Sequence, residues 1–96
     1  MHYTPPPPEA LEALKIELRK SSGEMAELFG LAGARQWRRY TSQANDPQNR
    51  RDMGAHMLFF AMARLELDAA TVERVLARMR KVGAQIDLDA DGESQP

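Results

Sequence analysis

Apolar positions along this chain return at helical spacing, and no stretch alternates in the manner of a strand. In residues 9–20, Leu11, Leu14 and Leu18 recur every three or four positions opposite Glu12, Lys15 and Arg19, which predicts a first amphipathic helix. Lys20-Ser21-Ser22-Gly23 interrupts it. Ser21 followed by Glu24 has capping-box spacing: the serine oxygen accepts the Glu24 amide, and the glutamate reaches back to the serine amide. A short second helix therefore runs through Met25-Ala26-Glu27-Leu28-Phe29, and Gly30 ends it because glycine takes the left-handed conformation at little cost. A third helix begins near Gly33, with Leu31, Trp37 and Tyr40 directed to the core.

Residues 41–49, with Asp46-Pro47, read as a polar loop. Residues 51–67 predict a fourth helix, with Met53, Met57, Phe60, Ala61 and Arg64 on one face and Leu58, Met62 and Leu65 on another. A helix apolar on most sides belongs at the centre of a bundle. Asp68 caps a fifth helix whose stripe is Val72, Val75, Leu76, Met79 and Val82, and Gly83 ends it. The pattern predicts an all-α bundle of five short helices.

Ninety-six residues, 43% apolar and 28% charged, suit one small folded domain. Pro5 to Pro8 form a stiff lead-in that reads as a spacer, with Pro8 suited to a helix first turn. The expected division is a proline-rich lead-in at 1–8, one domain at 9–86 and an acidic, disordered tail at 87–96. The N-terminus has neither a basic n-region nor an apolar h-region, so a cytoplasmic location is expected.

The net charge of -1 hides a separation. Residues 33–51 carry Arg35, Arg38, Arg39, Arg50 and Arg51 against Asp46, whereas residues 87–96 carry Asp87, Asp89, Asp91 and Glu93 with no base. Binding to phosphates depends on a local basic surface rather than on the whole-chain total.

The segment Glu24-Met25-Ala26-Glu27-Leu28-Phe29-Gly30-Leu31 resembles the Glu-Leu-Ala-Glu-Leu-Leu-Gly-Val of lambda-repressor-like (Cro/XRE-type) helix-turn-helix regulators. Ala26 matches the point where the family's two helices touch, and Gly30 matches its turn. Ser22 stands where the family usually has glutamine, and Trp37 lies one residue beyond the usual apolar position, which implies a turn lengthened at Ala32-Gly33. The resemblance implies a five-helix lambda-repressor-like bundle whose third helix enters the major groove of DNA.

The residues themselves agree with that expectation. With Leu31, Trp37 and Tyr40 inward, Ala34, Arg35, Gln36, Arg38 and Arg39 are left for base readout. Arginine can donate two parallel hydrogen bonds to guanine, and glutamine can pair similarly with adenine. Gly33 would let the helix start approach a phosphate, and Ser21, Ser22, Thr41, Ser42, Arg50 and Arg51 are candidate backbone contacts. One short reading helix contacts few bases, so a homodimer on an inverted repeat is expected, joined through Val75, Met79, Val82 or Ile86. The expected function is a sequence-specific double-stranded DNA-binding regulator, most simply a repressor.

Two other classes compete: an antitoxin-like or phage-encoded inhibitor that sets the basic helix against an acidic protein, and a non-specific architectural DNA binder. With no cysteine, thiol catalysis and cysteine-ligated metals are excluded. Asp52 and His56 have a pairing distance on the expected fourth helix but no nucleophile, and the Asp87–Gly92 run lacks the distal glutamate of a calcium loop. No enzyme activity, cofactor, metal, membrane contact or small-molecule substrate is expected. Met57, Met62 and Met79 read as packing residues rather than a peptide groove.

Overall fold

A computed structural model describes residues 1–42 and 51–88 of the chain. It is all-helical: among the described residues there are five helices and no strand. They are α1 (Pro8–Leu18), α2 (Ser22–Leu28), α3 (Ala34–Thr41), α4 (Ala55–Glu66) and α5 (Ala69–Lys81).

Each boundary has a local cause. Pro8 opens α1 at a position where the missing amide hydrogen costs nothing, and Arg19 closes it in the left-handed region at φ 55°. The capping box at α2 is complete: the Ser21 amide donates to Glu24 Oε1 at 2.8 Å, and the Glu24 amide donates to Ser21 Oγ at 3.1 Å. Past the end of α2, Gly30 takes φ 72°, with its amide on the Glu27 carbonyl and the Leu31 amide on the Ala26 carbonyl. That pair of bonds is a Schellman motif. The same motif ends α5, where Gly83 has φ 89° and the Gly83 and Ala84 amides donate to the Arg80 and Met79 carbonyls. Asp68 caps the start of α5 by accepting the Thr71 amide at 2.7 Å.

The core is off-centre. Leu11, Met25, Ala26, Leu28, Phe29, Trp37 and Tyr40 bring α1, α2 and α3 together, and Met53 and Ala61 close the cluster from the side of α4. Leu14, Leu18, Leu31, Met57, Leu58, Met62 and Leu65 pack around them. No residue of α5 is buried. Fully burying a leucine, methionine or phenylalanine of this cluster is worth on the order of 1.5–3 kcal/mol, and most of those buried belong to the three-helix unit that holds α3.

One expectation needs correction. The fourth helix starts at Ala55 rather than Arg51, because the preceding backbone is committed elsewhere. The Arg51 amide donates to the Arg39 carbonyl at 2.8 Å, and the Met53 carbonyl accepts the Tyr3 hydroxyl at 2.6 Å. Asp52 therefore lies outside α4 rather than on the same helix as His56. The same Tyr3 bond ties the N-terminal segment to the core residue Met53. Leu88, assigned to the tail, lines an apolar groove between α4 and α5. The remainder of the expected tail, with Asp89, Asp91 and Glu93, lies outside the described residues, as does the loop around Asp46-Pro47.

Candidate nucleic-acid interface

Two large rings set the rotation of α3. Trp37 is 0% exposed and leans on Phe29, ring centroids 5.2 Å apart and planes at 46°; Tyr40, one turn on, is also buried. Among the described residues the Trp37 Nε1 has no hydrogen-bond partner. Each helical residue advances by about 100°, which places Arg35, Arg38 and Arg39 on the side opposite Trp37 and Tyr40. Arg35 and Arg38 are exposed and Arg39 is half-buried. The helix contains no acidic residue to offset this face.

Gln36 departs from the simplest reading. It neighbours Arg35 in the chain, but helical rotation carries it to a flank where it is half-buried, and Ala34 occupies the other flank. Arginine thus dominates the outer face, with Gln36 at its edge.

The phosphate candidates divide by how their polar groups are used. Ser21 serves as the cap of α2, and Ser22 opens that helix half-buried. Gly33 is the uncapped start of α3, extended, with open space where a side chain would project. The hydroxyls of Thr41 and Ser42 both donate to the Arg38 carbonyl, at 3.4 and 2.8 Å, so a phosphate would have to compete for them. Arg51 is exposed and stands beside the end of α3 through its amide bond to Arg39. Arg50 lies outside the described residues.

The candidate dimer residues also differ from one another. Val82 is 81% exposed and Val75 50%, and Ile86 is exposed as well. Met79 is half-buried, and it lines the groove of about 120 Å³ between α4 and α5 together with Val75 and Ile86, so only Val82 of the four stands clear of that groove.

Two carboxyls are held below their ordinary range. Glu24 is lowered first by the Ser21 amide and then by its hydroxyl, and Asp68 by its bonds to Thr71. Both are helix-capping groups. Among the described residues no group of three or more histidine, cysteine or carboxylate side chains could hold a metal ion, and no helix is long and apolar enough to cross a membrane.

One residue of consequence was not foreseen. Arg64 of α4 donates from Nη1 to the carbonyls of Glu27 and Leu28 at the end of α2, both at 2.9 Å. In the sequence Arg64 falls on the face of the fourth helix marked by Met53, Met57, Phe60 and Ala61, with no partner assigned to it. The only hint was that the last turn of α2 has no base of its own. No protein-family model matches this chain, and no curated protein or solved structure is significantly similar to it.

Proposed function

We propose that the chain is a sequence-specific double-stranded DNA-binding regulator of the lambda-repressor-like helix-turn-helix kind, with α2 as the supporting helix and α3 as the reader. The observation that carries this is the division of α3: two buried rings on one side and three arginines on the other. A rigidly held arginine face presents paired donors to guanine edges in a major groove, while Arg51 and the open start at Gly33 lie where a flanking phosphate would pass. The exposed Val75 of α5 and Val82 just past its end supply an apolar surface for a second copy, and a homodimer would read two half-sites about one helical turn apart. Occupancy of a promoter by such a dimer represses it.

Selection from random duplexes followed by sequencing tests the reading, since it reports the preferred bases and their half-site spacing together. Arg35→Ala and Gln36→Ala should each alter the preferred bases at a cost of about 1–3 kcal/mol. Arg51→Ala should weaken selected and random duplexes alike and reduce the salt slope by about one. No duplex binding at low salt would remove both the specific and the architectural DNA readings and leave the acidic-protein partner.

A further inference from the structure

Each of the last four carbonyls of α2 has a partner. The Met25 carbonyl accepts the Phe29 amide, the Ala26 carbonyl accepts Leu31 and the Glu27 carbonyl accepts Gly30. For the Leu28 carbonyl the acceptor role is met by Arg64 Nη1 at 2.9 Å, and the same nitrogen reaches the Glu27 carbonyl at 2.9 Å. Unpaired carbonyls make a helix C-terminus partly negative, and a cation there is favourable. With no base in its last turn, α2 receives that cation from a residue 36 positions further along the chain.

The guanidinium is itself held in place. Its central carbon lies 5.4 Å from the Phe60 ring centroid, within cation–π range. Phe60 Cε2 would lie 3.6 Å from a β-carbon built on Gly30, so the ring stands against the turn that leads from α2 to α3. Phe60 and Arg64 are thus one turn apart on α4 and together back this turn. Arg64 also lines the α4–α5 groove and is absent from the arginine face of α3.

We propose that Arg64, braced by Phe60, is a positioning residue for the reading helix: it fixes the α2–α3 turn and hence the aim of α3, without itself meeting nucleic acid. Trp37 and Tyr40 fix the rotation of α3 about its axis; the turn fixes where its first residues point. The proposal rests on α3 being the DNA reader, so its test includes a measurement made without DNA.

That test compares the full-length chain with Arg64→Met, which keeps an apolar stem of similar reach, and with Arg64→Lys, which keeps the charge but loses the planar fork. Amide exchange and chemical shifts are followed by NMR, and affinities for a selected and a random duplex are measured across a salt series. In Arg64→Met the Gly30 and Leu31 amides should exchange at least about tenfold faster and the amides of residues 34–36 should shift, while α1 and α5 keep their wild-type values. Affinity for the selected duplex should fall about tenfold with its salt slope unchanged, and Arg64→Lys should show a smaller effect at the same places. Should Arg64→Met fail to fold, Arg64→Lys decides on the same readouts. Wild-type exchange and shifts at the turn in the variants that fold, uniform acceleration over all helices, or a salt slope lower by about one would each overturn the proposal. If the wild-type chain binds no duplex, the DNA reading fails, while the turn and α3 amides still decide whether Arg64 positions the helix.

Discussion

α3 and α5 are both rich in cations, and charge alone does not distinguish them. α3 carries Arg35, Arg38 and Arg39; α5 carries Arg74, Arg78, Arg80 and Lys81. What separates them is anchorage and use. α3 buries an indole and a phenol ring, whereas α5 buries no residue. On α5 the Arg80 guanidinium is paired with Glu73 at 2.7 Å, and Arg74 leans on the Thr71 hydroxyl at 3.4 Å. A base-reading helix needs its donors held at fixed angles, which buried rings provide. On α5 the half-exposed Val75 lies between the charges, and the exposed Val82 follows directly after the helix, so this surface would suit lateral association under the proposed reading. Position in the core, rather than basic content, is the property that separates these two helices.

The sharpest way to break this contrast is to remove the anchor. Trp37→Ala should cost about 3–5 kcal/mol, since it deletes a fully buried ring from the middle of the cluster. Val75→Ala, at a half-exposed position on α5, should cost less than about 1 kcal/mol. Urea titrations of the two variants would measure the difference. Comparable losses would mean that α5 supports the fold as much as α3 does.

A second test uses the two glycines that follow the helix ends. Gly30 and Gly83 both hold positive φ, 72° and 89°, in equivalent Schellman turns. An added methyl would meet Phe60 at 3.6 Å, an ordinary contact, at the first site and nothing within 4 Å at the second. Gly30→Ala and Gly83→Ala should therefore lose similar stability, about 1–2 kcal/mol from the left-handed backbone. Only Gly30→Ala sits in the turn before α3, so it alone should also weaken a selected duplex beyond what its loss of folded protein explains. Equal effects on binding would erase the distinction between the helices.

Much of this arrangement was readable in the residues. Ser21 and Glu24 announced the start of α2, Gly30 and Gly83 the two turns, Asp68 the cap of α5, and Trp37 with Tyr40 the inward side of α3. Those are local signals, set within a few positions of one another. The start of α4 was not readable, because Arg51-Asp52-Met53 are acceptable in a helix and are kept out of it by bonds to Arg39 and Tyr3, one of them spanning 50 positions. Arg64 escaped for the same reason: its partners are on α2, and helical periodicity says nothing about what a polar side chain will meet. The half-buried flank position of Gln36 follows from rotation once the rings are known to be inside, so that part of the candidate site was recoverable.

The smallest expected effect concerns how the two helices begin. α5 starts on the Asp68 carboxylate, while α3 starts on Gly33 with no side-chain cap. The Asp68 carboxyl is held low by Thr71, so its native value lies beneath its unfolded one. A group depressed in this direction contributes its stability above the unfolded value and loses it as pH falls through the native one. Glu24 at the start of α2 behaves in the same sense through Ser21. Stability should thus decline on acidification below the ordinary carboxylate range, modestly, because both groups are at the surface and screened by solvent. Asp68→Asn retains a side-chain acceptor for the Thr71 amide but has no proton to gain, so its urea midpoint should fall less steeply with acid than the wild type's. Helix-resolved amide exchange should show the acid-sensitive opening at the first turn of α5 and leave that of α3 untouched. An identical acid slope in Asp68→Asn would show that the cap of α5 contributes no pH dependence, and the two helix starts would then be equivalent in acid.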